Sequence, residues 1–297
     1  MKKSILVTGA HRSGSTWIGK IIAKADNVRY VSEPFNLLDY KKSTPFKHWF
    51  YYINDKFPID QQNKLKKYLD SFHYFSLAGF IRDFSKIRSY KTFIKVMNDY
   101  RSRSSSRTLL KDPIAFFSAP WIAQNYHCDV IISVRHPAAF IASLKVKNWQ
   151  FDFNNFLNQR ELMETHLAQF KTEIEQYALN RPDIVIQGAL IWNIIYSLAL
   201  KYKELYNNWY FVTHENLSLN PVDEFQKIFN YLNLEFTEKV KNELIDSTTA
   251  SENSKLKRNA KENVSSWKTR LSQEEIELIK QKTQLVWVNF YNEASWS

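Results

Sequence analysis

Within its first 25 residues the sequence commits to a strand, a tight turn and a helix, and that unit leaves few folds open. Ser4-Ile5-Leu6-Val7-Thr8 has the length and apolar content of a buried strand, and Ile18, Ile21, Ile22 and Ala25 recur at helical spacing. The turn joining them reads Gly9-Ala10-His11-Arg12-Ser13-Gly14-Ser15-Thr16, which matches G-x-x-x-x-G-x-[ST]. In that context the backbone amides and the helix N-terminus cradle a phosphate. The ATP-hydrolysing form of this loop needs Lys directly after the second glycine to reach the β- and γ-phosphates. Ser15 stands there, and the cation sits earlier, at Arg12.

Further strands fall at intervals. Val28 to Val31 leads into Ser32-Glu33-Pro34-Phe35, where Pro34 disfavours a central ladder position and leaves Glu33 at a strand end. Thr108 to Lys111 and Val130 to Val134 read as buried parallel strands that end in Lys111-Asp112-Pro113 and Arg135-His136-Pro137. Trp209 to Thr213 makes another. Strands alternating with helices predict an α/β fold: a single P-loop-type domain over 1–297, with a central parallel β-sheet flanked by helices. Ligands of such sheets bind at the carboxyl ends of the strands, where Glu33, Lys111 and Arg135 all fall.

From about 37 to 107 the pattern turns aromatic and helical, with Trp49, Phe50, Tyr51, Phe72 and Phe80 among lysines. We read a helical insertion beside any site, where contacts to a second reactant are expected. It ends in the basic, serine-rich run Arg101 to Arg107, expected to be a mobile surface loop. Asn220-Pro221 starts a later helix, and Ser272 with Glu275 forms a capping-box pattern before the last one. The apolar stretch Ile184 to Leu200 falls short of a membrane span and carries Gln187, Asn193 and Ser197, so a buried helix is expected rather than a transmembrane segment.

With 44% apolar residues, 297 residues suffice for one large core. The single Cys128, the absence of zinc-like His/Cys spacing and an apolar run at Ile5 to Val7 too short for a secretory signal predict a cytoplasmic protein without a structural metal. Lys and Arg outnumber Asp and Glu by 41 to 30, which favours an anionic partner: nucleic acid, a membrane or a polyanionic small molecule. Nothing resembles a nucleic-acid-reading motif, so no nucleic acid is expected.

Two motifs resemble the sulfotransferase family. Arg12-Ser13-Gly14-Ser15-Thr16-Trp17 is similar to its phosphosulfate loop, R-S-G-[ST]-[ST] or K-S-G-T-T-W, and Arg135 with Ser143 eight residues on has the spacing of its 3′-phosphate pair. Phe211-Val212-Thr213-His214-Glu215-Asn216-Leu217 is looser, resembling a Y-E-D-L turn with His214 for Tyr and Asn216 for Asp. Lys261 to Leu271 resembles the family's C-terminal loop through Lys261, Trp267 and Lys268.

The resemblance implies transfer of a sulfuryl group from 3′-phosphoadenosine-5′-phosphosulfate, without a metal, to an acceptor hydroxyl, with carbohydrate as the first expectation. It implies that Arg12, Ser13, Gly14, Ser15, Thr16, Trp17, Arg135, Ser143 and Lys261 hold the donor. Glu33 is the candidate base, and Arg12 and Lys111 are candidates for stabilising charge on the leaving phosphate. A nucleotide-dependent kinase is the rival, disfavoured by Ser15 and by Arg135 where a strand-end Asp would hold magnesium. A basic nucleic-acid-binding protein is the remaining alternative. His11 is read as a loop spacer, His136 as a turn residue, and Trp192 with Tyr196 as a packing pair on one helix face.

Overall fold

Alternation along the strands decides the architecture. In the first strand Ile5 and Val7 enter one apolar cluster and Leu6 the other; in the fourth, Val130, Ile132 and Val134 face one side and Ile131 the opposite one. Both faces of the sheet are therefore covered, as the continuous apolar runs require. The computed structural model describes residues 3–40, 43–248 and 264–297.

The elements run β1 (Ile5–Gly9), α1 (Ser15–Ile22), β2 (Val28–Ser32), α2 (Ile59–His73), α3 (Leu77–Phe84), α4 (Tyr90–Ser102), β3 (Arg107–Lys111), α5 (Ala119–Tyr126), β4 (Asp129–Val134) and α6 (Pro137–Lys147). They continue with α7 (Asn154–Leu157), α8 (Arg160–Leu162), α9 (Lys171–Leu179), α10 (Ile184–Leu205), β5 (Tyr210–Thr213), α11 (His214–Leu219), α12 (Pro221–Tyr231), α13 (Glu238–Thr248) and α14 (Gln273–Trp287). The five strands are parallel in the order β2-β3-β1-β4-β5. The chain moves outward on one side of β1 and then returns to continue on the other, so the carboxyl ends of β1 and β4 form the switch point where such sheets bind ligands.

The helix α10 runs on to Leu205, past the apolar stretch read from the sequence, and is by length and composition able to cross a membrane; it is mostly buried, with Trp192, Ile195 and Tyr196 fully enclosed in the larger cluster. The capping box at Ser272 and Glu275 forms as read, and Pro221 opens α12. The basic run 101–107 is only in part a solvated loop: Arg101, Ser104 and Ser105 are exposed, but the other two arginines are drawn in. Arg103 is buried, pairs with Asp99 at 3.0 Å and donates to the carbonyls of Ser71 and Tyr74. Arg107 lies in β3 and pairs with Asp129 at 2.6 Å. Runs of basic residues are usually solvated, but here Asp99 one helical turn earlier and the more distant Asp83 and Asp129 draw these two inward.

Candidate active site

Gly14 is where the chain geometry is least negotiable. Its φ of 93° lies in the left-handed region, and an added Cβ would stand 2.6 Å from His214 Cδ2. It caps α1 without a side chain, so the first-turn amides of Ser15 and Thr16 are left to a ligand. Ser13 anchors the loop from beneath: its hydroxyl lies 2.5 Å from both Ala10 O and Ser133 Oγ, fully buried. Ser13 thus contributes to the cradle by holding its shape.

The two arginines converge. Arg12, also left-handed at φ 64°, donates from Nε to Ser143 Oγ at 2.9 Å, and Arg135 Nη1 donates to Arg12 O at 2.7 Å. Arg135 is buried, and its Nε has no hydrogen-bond partner among the described residues. A buried guanidinium donor without a partner costs free energy unless something supplies an acceptor.

Two residues read as mere packing hold that arginine in place. Trp192 Nε1 donates to Arg135 O at 2.9 Å, and Tyr196 Oη accepts from Arg135 N and lies 3.2 Å from Ser133 O. They do pack on one helix face, as spacing predicts, and also fix the turn after β4. Glu215 closes the same turn: it accepts from His136 N at 3.1 Å and from Tyr291 Oη at 2.7 Å. Burial pushes the Glu215 carboxyl up. His136 is a turn residue, as expected, with its ring stacked on Trp267 at 5.3 Å and its pKa lowered to about 3 by burial.

Glu33 lies at the end of β2 with a left-handed φ of 48°. Its Oε1 pairs with Lys111 Nζ, and Oε2 accepts from Asn36 Nδ2 at 2.9 Å. Lys111 is only 2% exposed and lies behind Glu33, with its stem against Gly19 of α1. It pairs with Glu33 and not with its neighbour Asp112. Asp112 instead caps the following 3-10 turn, accepting from Phe35, Ile114 and Ala115 N–H groups, and its burial raises the pKa to about 7.

These groups border a cavity of about 1230 Å³. That exceeds the usual small-molecule pocket and leaves room for two reactants. On one side Trp17 donates to Ser247 Oγ at 2.9 Å and faces His214, while Lys24 pairs with Glu243 at 2.7 Å, so α13 closes over α1. On the other, His11 is ringed by Phe50, Phe140 and Trp149 at 5.1 to 5.7 Å, beside Trp49, Gln150, Phe151 and Asn155. His11 is therefore more than a spacer. Burial holds it neutral, with a pKa near 4, and its Nδ1 has no partner among the described residues.

Backbone strain marks the same place. Among the described non-glycine residues with positive φ, Asn27, His127, Asn148 and Asn233 are types that tolerate it; the other three, Arg12, Glu33 and Phe50, all line the cavity. Each such conformation costs about 1–3 kcal/mol and persists where its surroundings enforce it.

A family model described as the sulfotransferase family matches residues 4–238. The chain belongs to the sulfotransferase family. No curated protein sequence matches it. Among solved structures it is similar to the sulfotransferase domain of the Synechococcus PCC 7002 olefin synthase, at 16% identity and a TM-score of 0.53, over 98% of this chain and 95% of that one. It is also similar to the sulfotransferase domain of the curacin biosynthetic pathway, at 13% identity and a TM-score of 0.50, over 96% and 98% of the two chains. At these identities the likeness is one of fold.

For a sulfotransferase the structure brings most of the sequence-derived residues to one place. Arg12, Gly14, Ser15, Thr16, Trp17, Glu33 and Arg135 line the cavity; Ser13, Lys111 and Ser143 stand just behind it. Lys261 lies outside the described residues. Sequence reasoning missed Trp149, Phe151 and Asn155, which carry no local pattern, and Glu215, whose signal was its place in the His214-Glu215-Asn216-Leu217 segment.

Proposed function

We propose that this cavity takes 3′-phosphoadenosine-5′-phosphosulfate along the phosphate loop and transfers its sulfuryl group to a carbohydrate hydroxyl seated against the aromatic wall. The observation that carries the reading is Arg135: a buried cation with an unpartnered Nε, fixed at the end of β4 beside the loop. That donor set fits an anion additional to the one the loop amides hold, as a nucleotide bearing phosphates at both ends of its ribose would provide. When bound, the donor supplies the sulfuryl group and a phosphate leaving group.

The chain's own residues do the rest. The first-turn amides of α1, Arg12 and Thr16 hold charge that develops on the leaving phosphate, with no reorganisation at the moment of transfer. Trp17, braced by Ser247 and Phe225, offers its ring to the base. Glu33 receives the proton of the attacking hydroxyl, as a positioned base must stand at the acceptor. Asn36 and Lys111 fix its two oxygens, and the Lys111 cation remains behind it when the carboxylate is neutralised. Trp49 and Trp149 present flat apolar rings, and Gln150, Asp152 and Asn155 present polar groups, a combination that suits sugar faces and their hydroxyls. The part of the insertion that supplies this wall is its first stretch, Leu37 to Phe50; no residue of α3 or α4 lines the cavity.

Calorimetry tests the reading. Titration with 3′-phosphoadenosine-5′-phosphate, ATP and 5′-AMP, each with and without magnesium, is expected to give tight, magnesium-independent binding of the bisphosphate alone. Preference for ATP with magnesium would replace this reading with a kinase.

A further inference from the structure

The helices α3 and α4 carry an apolar surface that the fold leaves uncovered. Leu77, Ile81 and Phe84 recur along one face of α3, and Tyr90, Phe93 and Ile94 lie on α4, all between 38% and 78% exposed. The two sets meet where the Phe84 and Phe93 rings approach edge-on at 6.5 Å. Isolated exposed apolar residues are ordinary, but a contiguous set of this size on adjoining helices marks an interaction surface.

Charge around the patch is one-sided. The two acidic residues of this helix pair are turned inward: Asp83 pairs with Arg82 at 2.9 Å and Arg103 at 3.4 Å, and Asp99 with Arg29 at 3.1 Å and Arg103 at 3.0 Å. These bridges fasten α3 and α4 to β2 from below. Lys86, Arg88, Lys91 and Lys95 are exposed, with no acidic side chain among the described residues from 84 to 98. The outer surface therefore presents aromatic and aliphatic side chains within a predominantly cationic rim, in which the exposed Asp39 beside Lys86 is the acidic exception.

We propose that the α3–α4 surface docks on an anionic phospholipid bilayer. Amphipathic helices with aromatic and aliphatic residues on one side and Lys or Arg beside them bind in the plane of the headgroups, through buried apolar area plus attraction to anionic lipid. A second copy of this chain would bring the same cationic rim against itself, which like-charge repulsion opposes. The surface joins the cavity rim: Lys86 Nζ lies 3.8 Å from the centre of the Tyr40 ring, and Tyr40 follows two residues after the exposed, cavity-lining Leu38. Docking would hold the mouth of the acceptor side near the bilayer surface, where an acceptor carried on or near lipid is concentrated.

Co-sedimentation of the full chain with vesicles tests this without any turnover. Binding is expected to vesicles of phosphatidylcholine mixed with phosphatidylglycerol, weakening as salt is raised, and not to phosphatidylcholine alone. The paired substitution Ile81→Gln and Phe93→Gln is expected to abolish it, and Lys91→Glu with Lys95→Glu to weaken it by about tenfold or more. Both variants alter exposed positions, and unchanged circular dichroism and melting temperature verify their fold. Equal sedimentation with neutral and anionic vesicles, no sedimentation with either, or full binding by both variants would overturn the proposal. So would a dimer in solution that Ile81→Gln with Phe93→Gln dissociates, which would assign the face to a second copy. Bisphosphate binding measured on the same preparation separates a failure here from a failure of the donor site.

Discussion

The phosphate loop and the aromatic wall border one cavity, yet they are built in opposite ways. The loop is fixed in its own backbone: Gly14 takes a conformation that excludes a side chain, and the Ser13 hydroxyl and Arg135 guanidinium donate to the loop carbonyls of Ala10 and Arg12. The wall is held by side chains from segments about a hundred residues apart, with Asn155 Oδ1 accepting from Trp49 N at 2.9 Å and Phe50 meeting Phe151 at 5.9 Å. Backbone constraints confine a site to a few residue types at set spacings. Side-chain packing accepts many combinations of similar volume, so such a wall can be re-cut for another acceptor without disturbing the loop.

If the two halves are separable, each substitution should disturb one measurement and spare the other. The largest effect is expected for Glu33→Gln, which keeps an acceptor for Lys111 but cannot take a proton: kcat should fall by roughly 10²- to 10⁴-fold with bisphosphate affinity unchanged. Near-normal turnover would remove Glu33 as the base, and lost bisphosphate binding would show that the halves are coupled. Next comes Arg135→Ala, expected to weaken 3′-phosphoadenosine-5′-phosphate by on the order of 100-fold, the worth of charge-assisted hydrogen bonds in a buried site. An analogue lacking the 3′-phosphate should be affected far less; equal losses would break the assignment.

The smallest effect per group is in acid. Burial, then neighbouring cations, lowers the pKa of His11 and His166 to about 4 and of His73, His136 and His214 to about 3. In the unfolded chain they take up protons below about pH 6.5 that the folded protein refuses. Their stabilising contribution is thus complete above that pH and is lost as pH falls toward 4, at most about 1.4 kcal/mol per pH unit each. Asp112, raised to about 7 by burial, acts in the opposite direction: it favours the folded state below its unfolded pKa and loses that contribution as pH rises through 7. These five histidines outweigh Asp112 and Glu215, whose carboxyl burial also raises, so the melting temperature should fall between pH 7 and pH 5. A flat melting profile over that range would contradict the buried, neutral state of these rings.

The phosphate half was largely readable from the chain. The strand, loop and helix, the residues after each strand and the spacing of Arg135 and Ser143 all follow from local pattern, because period and turn chemistry are local properties. The roles of Trp192 and Tyr196 were half visible. Their four-residue spacing gives a shared helix face, but a hydrogen bond to the backbone of Arg135 depends on how α10 crosses β4. The basic run at 101–107 misled for a related reason: Asp99 meets Arg103 within one helical turn, but Asp83 and the carbonyls of Ser71 and Tyr74, which complete its burial, meet it only in the folded chain.

Local order in the sequence was sufficient for the parallel sheet, for the candidate residues at the carboxyl ends of its strands and for a loop shaped to cradle an anion, whereas the strand order, and with it the switch point at the ends of β1 and β4, came from the tertiary structure. Hydrophobic period and glycine placement constrain the backbone directly, and the backbone builds that half of the site. The pairing of Lys111 with Glu33, the aromatic ring of neighbours around His11 and the outward turn of the α3–α4 face were decided by tertiary structure alone. Each depends on which distant side chain fills the adjoining space, and no spacing along one chain carries that information.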